Sequence, residues 1–280
     1  MDSGIRLILT DMDGTLLSPD LTVSPSNRQA IRDARAAGVE TAIATGRLDL
    51  LVLDYVRQLD IRLPVVSCNG ALIRDCSTGE VVHMKSVPAD SAEAVLDLCL
   101  ELGIDALAYA PDAVYHPRYS RRVSFFNDYN RLAAAGGTPP VPLHAYDRSD
   151  VRAIAAAGVF KIFLARLRDG DIEQAARRIR AEVPDIGTVN SVGDSLDVMH
   201  AEVSKGEALR ILAAHAGLTP SQVAAFGDSE NDVSMFEAAG VSFAMGNARP
   251  DVRAAATHVT ASNREDGFAE AVRRHILRES

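Results

Sequence analysis

The chain has 280 residues, of which 47% are hydrophobic, and a formal net charge of −9. This length exceeds that of a typical single domain, and the apolar fraction suffices for a large core. The negative charge and the absence of Trp argue against a nucleic-acid-binding protein. The three cysteines show no disulfide or zinc spacing, and neither a leader peptide nor a membrane-spanning segment is evident. We therefore expect a soluble, cytoplasmic protein with no nucleic-acid or membrane partner.

The first part of the chain alternates strands and helices. The predicted elements are a strand over 5–10, a helix from Ser24-Pro25 to Gly38, a strand over 39–44, a helix over 48–59 and a strand over 64–68. Such alternation is typical of a parallel sheet with right-handed crossovers. Ligands bind these sheets beyond the carboxyl ends of the strands. The polar residues at those ends are therefore candidate site residues: Asp11, Asp13, Thr45 and Asn69.

The pattern changes from about residue 81. The predicted elements are helices over 91–103, 121–135 and 171–182 and strands over 104–110, 113–116, 159–165, 187–192 and 196–200, with a turn at Gly193-Asp194. We interpret residues 85–192 as an α+β domain inserted into a Rossmann-like α/β core formed by 1–84 and 193–280. Segments 111–130 and 192–200 are candidates for substrate selection.

The α/β alternation returns after the insertion. A helix over 204–216 has Ser204 as its predicted N-cap, with Glu207 at the capping-box position. The remaining elements are strands over 222–226, 241–245 and 258–260 and a closing helix over 267–278. Acidic residues follow the first of these strands, at Asp228 and Asp232. Asn247 follows the second strand, and its pattern is compatible with a site contact or with a role in shaping the loop.

The polar residues at these strand ends are suited to binding a cation and a phosphate group. Brought to one edge, four carboxylates would repel one another and require a cation: Asp11, Asp13, Asp228 and Asp232. Oxygen ligands without His or Cys suit Mg²⁺, which in proteins commonly binds together with phosphate. Lys205, the Thr45 hydroxyl and the Gly46 N–H would donate to phosphate oxygens. The residues thus predict a magnesium site that also binds a phosphate group.

Four segments carry a resemblance to a known family. They are Asp11–Leu17 (DMDGTLL), Ala44–Arg47 (ATGR), Val203–Gly206 (VSKG) and Gly227–Asp232 (GDSEND). Together with SCNGA at 67–71, they resemble the haloacid dehalogenase superfamily of phosphatases, and within it the Cof-type branch with a large C2-type cap domain. The resemblance implies a Mg²⁺-dependent phosphatase of sugar phosphates, pyridoxal phosphate or flavin mononucleotide. The inserted domain would then be the cap, a lid that excludes water and reads the leaving group.

The resemblance also implies individual roles. Asp11 would attack phosphorus to form an aspartyl-phosphate, and Asp13 would act as general acid and then base. Mg²⁺ would be held by the Asp11 carboxylate, the Asp13 backbone carbonyl and Asp228, with Asp232 orienting Lys205 or a metal-bound water. The remaining substrate contacts would come from Met12, Thr45, Gly46, Lys205 and Asn231. Arg47 is open between a substrate contact and a surface ion pair, and Asn69 between a substrate contact and a turn former.

Two other functions stay open at this point. A phosphomutase would pass the phosphoryl group from Asp11 to a second substrate hydroxyl. A non-catalytic phospho-ligand-binding protein would gain nothing from a nucleophile beside an acid, so the Asp11/Asp13 pair argues against it. Either a monomer or a homodimer is compatible with the sequence.

Overall fold

The computed structural model describes residues 4–165, 171–191 and 195–278. The chain divides into two compact units. Unit 1 comprises Met1–His83 and Ser204–Ser280, and unit 2 comprises Met84–Val203.

The described residues form fourteen strands and ten α-helices. The strands are β1 (Leu7–Thr10), β2 (Glu40–Ile43), β3 (Val65–Ser67), β4 (Leu72–Arg74), β5 (Val81–Met84), β6 (Asp105–Tyr109), β7 (Val114–Pro117), β8 (Leu143–Tyr146), β9 (Lys161–Ala165), β10 (Ile186–Ser191), β11 (Ser195–His200), β12 (Val223–Gly227), β13 (Val241–Ala244) and β14 (His258–Val259). The helices are α1 (Pro25–Ala36), α2 (Leu53–Leu59), α3 (Ala89–Leu102), α4 (Val123–Gly136), α5 (Val151–Ala156), α6 (Asp171–Glu182), α7 (Lys205–His215), α8 (Val233–Ala238), α9 (Pro250–Ala255) and α10 (Gly267–Ala271).

Unit 1 is built on a parallel sheet with the strand order β14-β13-β12-β1-β2. A parallel bridge between Ala44 and Val66 places β3 beside β2, and β3 continues into the small sheet β3-β4-β5. The central strand β1 is buried along its whole length. Its side chains alternate between two apolar clusters, with Ile8 in one and Leu7 and Leu9 in the other. Both faces of the sheet are therefore covered, which explains why β1 is a continuous apolar run in the sequence.

Local signals place the helices of unit 1. The Ser24 hydroxyl accepts a hydrogen bond from the Asn27 N–H at the start of α1, and Gly38 follows its end with a φ of +81°. The Ser204 hydroxyl caps α7 by accepting from the Glu207 N–H at 3.1 Å. The predicted helix over 48–59 is a short 3₁₀ turn followed by α2, and α10 continues into a π-helical turn over Val272–Leu277.

Unit 2 is an α+β structure around a six-stranded sheet with the order β10-β11-β9-β6-β7-β8. Its strands pair antiparallel except for β7 with β8. Alternate residues of the central strands, such as Ala106 and Ile162, pack with α3, α5 and α6 in one apolar core. Lys161 and Asp197 belong to the opposite alternation and form a buried ion pair of 2.7 Å.

The fold class agrees with the prediction, whereas the second domain boundary differs. We placed that boundary at 192/193, but β11 pairs with both β9 and β10, so the division lies at Val203/Ser204. Residues 192–194, which include the predicted turn and part of a predicted substrate-selecting segment, lie outside the described residues. The prediction also lacked several short elements, namely β4, β5, β8, α5, α8 and α9, because three to six residues carry too little periodicity to identify.

Within the described part of the chain, no helix is both long and apolar enough to cross a membrane.

Candidate active site

Parallel register brings the polar strand ends of unit 1 together. Thr10, the last residue of β1, pairs with Phe226 of β12 on one side and with Ile43 of β2 on the other. The Asp11 N–H donates to the Phe226 carbonyl at 2.9 Å. The residues that follow these three strands therefore emerge at the same edge of the sheet, although more than 200 positions separate the first from the last.

Lys205 joins two of the predicted acids. Its Nζ lies 2.6 Å from Asp11 Oδ1 and 2.6 Å from Asp232 Oδ1, and its side chain is fully buried. Burial raises the pKa of Asp11 well above its ordinary value, and the Lys205 ammonium opposes that shift. Burial alone would lower the pKa of Lys205, but the two carboxylates outweigh it and raise that pKa. Lys205 is thus a buried ammonium shared by two carboxylates.

Asp232 is held from both sides. Its second oxygen accepts the N–H groups of Asp228 and Ser229 at 2.9 and 3.0 Å, which forms a capping box over the turn after β12. Both oxygens already accept hydrogen bonds, so the geometry favours a supporting role for Asp232, orienting Lys205 and the Asp228 turn.

Asp228 is bound by neutral donors. The Thr15 hydroxyl donates to its Oδ1 and the Asn247 amide to its Oδ2, each at 3.2 Å. Among the described residues, no Lys or Arg forms an ion pair with Asp228. Burial and the nearby Asp232 carboxylate raise the pKa of Asp228 to about 6. Asp228 therefore carries a negative charge that no ion pair in the described chain neutralises.

Gly14 permits this close packing. Its φ is +78°, and a Cβ atom at this position would lie 2.3 Å from Asp228 Oδ2. Only glycine combines this backbone conformation with room for the carboxylate.

Asp13 lies outside the carboxylate cluster. Its two oxygens accept hydrogen bonds from Arg47 Nε and an Arg47 terminal nitrogen at 2.8 and 2.5 Å. The predicted cluster of four carboxylates is therefore wrong: within the described residues, one oxygen each of Asp11, Asp228 and Asp232 lie within 4.8 Å of one another. The chain turns after Asp11 instead of continuing as a strand, and the Asp13 carboxylate pairs with Arg47 while Asp11 pairs with Lys205.

The donor set fits a hard divalent cation. The three clustered carboxylates of Asp11, Asp228 and Asp232 are accompanied by one ammonium, that of Lys205, which leaves two negative charges, the charge that one Mg²⁺ neutralises. The candidate ligands are all oxygens, as Mg²⁺ prefers. Burial, followed by the neighbouring Asp232 carboxylate, raises the pKa of Asp228, as expected for a crowded acidic site without a cation.

The other predicted residues lie along the neighbouring strand ends. Thr45 is buried, and its hydroxyl accepts from the Arg47 N–H at 3.1 Å. Asn231 donates to Asn69 Oδ1 at 2.8 Å, while Asn231 Oδ1 is buried and has no hydrogen-bond partner among the residues that the structure describes. Asn69 has a left-handed φ of +58°, a conformation that costs energy and is concentrated at functional sites.

Gly46 and Met12 occupy tight positions. A Cβ on Gly46 would lie 3.2 Å from Asn69 Oδ1, and the Met12 side chain is buried in the core.

Two further residues lie at the site: Thr15, for which the sequence predicts no contact, and Asn247, which the sequence leaves open between a site contact and a loop former. Thr15 contacts Asp228 from within the first motif, and Asn247 contacts both Asp228 and the Gly14 carbonyl. A signal for Asn247 was present in the sequence, because it follows β13 as Asp228 follows β12. A polar residue after a short strand is too common, however, to distinguish a site contact from a loop former.

The fold and site define a class of α/β proteins with a buried lysine between carboxylates at the carboxyl edge of a parallel sheet. A family model described as haloacid dehalogenase-like hydrolase matches residues 8–272. The chain belongs to this family. Together with the relatives below, the match identifies an enzyme of the phosphoric monoester hydrolase class, as the motifs predicted.

Relatives match along almost the whole chain. Pyridoxal phosphate phosphatase YbhA of Escherichia coli (strain K12) is 30% identical over 274 residues, covering 97% of this chain and 99% of that protein. The 5-amino-6-(5-phospho-D-ribitylamino)uracil phosphatase YcsE of Bacillus subtilis (strain 168) is 28% identical, covering 99% and 98%. A solved structure of a haloacid dehalogenase-like hydrolase from B. subtilis is 28% identical with a TM-score of 0.76, covering 96% of this chain and 99% of that one.

Proposed function

We propose that this protein is a Mg²⁺-dependent phosphatase of small phosphorylated metabolites that works through an aspartyl-phosphate on Asp11. One observation carries the proposal. Lys205 holds Asp11 and Asp232, Arg47 holds Asp13, and Asp228 keeps an unpaired charge beside Asp11. This arrangement suits a divalent cation and a phosphoryl group, both of which must be positioned and neutralised during phosphoryl transfer.

The first step forms the covalent intermediate. A carboxylate oxygen of Asp11 attacks phosphorus, the bond from phosphorus to the leaving-group oxygen breaks, and Asp13 donates a proton to that oxygen. Arg47 holds the Asp13 carboxylate by two hydrogen bonds, so proton delivery requires this ion pair to open. The incoming phosphate offers Arg47 an alternative anionic partner.

The second step hydrolyses the intermediate. A water molecule attacks phosphorus, Asp13 accepts its proton, and the Asp11 carboxylate leaves as inorganic phosphate is released. The Lys205 ammonium, 2.6 Å from Asp11, stabilises the carboxylate as it departs. The Thr45 hydroxyl, the Met12 and Gly46 N–H groups and the Asn231 amide would donate to the phosphoryl oxygens.

Mg²⁺ would be held by the Asp11 and Asp228 carboxylates and the Asp13 backbone carbonyl. When bound, it supplies positive charge that neutralises the phosphoryl oxygens. Asp232 would support this site through its contacts with Lys205 and with the Asp228 and Ser229 N–H groups.

The substrate is proposed to be a sugar phosphate, pyridoxal phosphate or flavin mononucleotide. The name of YbhA supports pyridoxal phosphate. The name of YcsE, a 5-amino-6-(5-phospho-D-ribitylamino)uracil phosphatase, supports flavin mononucleotide through the phosphorylated ribityl chain that the two compounds share. We propose that unit 2 is the cap and selects the leaving group.

A phosphate-release screen over a panel of phosphorylated metabolites, with Mg²⁺ and with EDTA, tests the proposal. We expect Mg²⁺-dependent turnover of at least one compound. Asp11→Asn should lower kcat by about a thousandfold or more, because an amide is not a nucleophile, as for other covalent enzymes that lose their nucleophile.

Asp33→Asn is the matched control, since Asp33 is a half-buried carboxylate on α1 whose side chain, within the described residues, accepts a hydrogen bond from Gln29. Equal rates of phosphate release for Asp11→Asn and the wild type would contradict the assignment of Asp11 as the nucleophile. Formation of a bisphosphorylated product instead of inorganic phosphate would identify a phosphomutase.

A further inference from the structure

We propose that Asn247 is a positioning residue that orients Asp228 for a divalent cation while leaving the Asp228 charge uncompensated. The inference rests on the proposed function, because it concerns the same magnesium site.

Asn247 connects three separate segments of unit 1. Its Nδ2 donates to the Gly14 carbonyl at 2.9 Å and to Asp228 Oδ2 at 3.2 Å. Its Oδ1 accepts the Asn263 backbone N–H at 3.0 Å. One amide thus links the turn after β1, the turn after β12 and the loop that precedes α10.

The orientation of this amide is determined by its partners. A backbone N–H can only donate, so the atom facing Asn263 must be the oxygen, and the atom facing Asp228 must be the nitrogen. Asn263 is itself anchored, because its buried side chain donates to the Leu17 carbonyl at 2.8 Å. The donor is therefore aimed at Asp228 before any ligand binds.

The neutrality of the donor is the central point. The other three acids of the site contact a cation: Asp11 and Asp232 contact Lys205, and Asp13 contacts Arg47. Within the described part of the chain, the Asp228 carboxylate accepts hydrogen bonds from the Thr15 hydroxyl and the Asn247 amide and has no Lys or Arg in ion-pair contact. A Lys or Arg at position 247 would orient the carboxylate equally well but would compete with a metal for its charge. An amide fixes the orientation and leaves the charge available.

Isothermal titration calorimetry, in which Mg²⁺ alone is added to the metal-free protein, tests this inference without relying on activity. We expect Asn247→Ala to bind Mg²⁺ about 10- to 100-fold more weakly than the wild type, the usual effect of removing a group that orients a metal ligand. With saturating Mg²⁺, the kcat of Asn247→Ala should return close to the wild-type value, because the proposed role of Asn247 is to orient the metal ligand Asp228 and not to bind the substrate.

Arg249→Ala is the matched control. Arg249 lies two positions further in the same loop, is exposed, and pairs with Asp251 instead of Asp228. It should bind Mg²⁺ as the wild type does, and the metal-free thermal midpoint of Asn247→Ala should stay near that of this control.

The outcomes separate two failures. Wild-type protein that binds no Mg²⁺ would overturn the proposed magnesium site itself. If Asn247→Ala binds Mg²⁺ with the same affinity as the wild type, the role of Asn247 alone is overturned. An equal loss of Mg²⁺ affinity in Arg249→Ala would overturn it as well. A large fall in the metal-free midpoint of Asn247→Ala would indicate a structural role and would also overturn it.

Discussion

Lys205 occupies a position that is unfavourable by itself. It is the first residue of α7, where the helix dipole repels a positive charge, and its side chain is fully buried. The two carboxylates at 2.6 Å outweigh both costs. Such a charge is retained for a reason other than stability, since replacing a buried ion pair by apolar groups is often neutral or stabilising. The site supplies that reason, because Lys205 holds the proposed nucleophile.

Asp228 provides a pH-dependent prediction at the same scale. Its pKa is raised from 3.8 to about 6 in the folded protein. The folded protein therefore favours the protonated Asp228 carboxyl. The stabilisation that this proton provides is full below about pH 4 and is lost as the pH rises through about 6. In EDTA at about pH 7.5, Asp228→Asn should be more stable than the wild type, because the amide carries no charge. We expect its free energy of unfolding to be about 1–3 kcal/mol higher.

Urea unfolding of both proteins across this range measures the effect. The advantage of the variant should shrink as the pH falls below about 6, since the wild-type carboxyl then becomes neutral. The Asp228 carboxylate contributes to the raised pKa of Asp11, so the difference between the two curves reports the Asp228 charge together with its effect on Asp11. A variant that is less stable than the wild type at neutral pH would contradict the assignment of uncompensated charge.

At the scale of elements, the approach of α7 to α8 determines where Lys205 sits. Gly206 donates its N–H to the Ser234 hydroxyl at 3.1 Å, and a Cβ on Gly206 would lie 2.2 Å from the Ser234 carbonyl oxygen. The two helices can be this close only because residue 206 has no side chain.

Gly206→Ala should therefore push α7 away from α8. We expect a loss of about 1–3 kcal/mol in the free energy of unfolding, and a fall in kcat because the adjacent Lys205 moves with the helix. Glu207→Ala is the control, since this exposed side chain pairs only with Arg210 among the described residues. Denaturation and phosphate release measure the two effects; unchanged stability would mean that the helices accommodate the methyl group.

At the scale of the whole molecule, the candidate metal ligands are far apart in sequence but lie in one unit. Asp11 and Asp228 belong to unit 1, which is formed by the first and last parts of the chain, and unit 2 has a sheet and an apolar core of its own. A bound cation should therefore stabilise the two strand-end turns that it joins.

Hydrogen exchange with and without Mg²⁺ measures this effect. We expect slower exchange in segments 11–17 and 227–232 and no direct effect on the strands of unit 2. Asp228→Asn should show no response to Mg²⁺. Protection that rises only in unit 2 would place the cation elsewhere.

The sequence by itself determined the class of fold and the neighbourhood of the site. Apolar runs that end in Asp11, Thr45 and Asp228 predict a parallel sheet, and the shared edge follows from parallel pairing alone. Helix ends such as Ser24 and Ser204 were predictable for the same reason, because capping is decided within a few residues. These features depend on local chemistry and regular geometry.

Only the tertiary structure decided how the side chains pair. It placed Asp13 on Arg47, although the two are 34 positions apart, and it placed Asn247 on Gly14 across 233 positions. It also assigned β11 to unit 2 through pairing with two strands. Such contacts depend on the turn of the backbone after a strand and on which loops pack together. Neither is encoded in a local pattern. The candidate metal ligands could therefore be predicted from the sequence, but the side chains that contact those ligands could not.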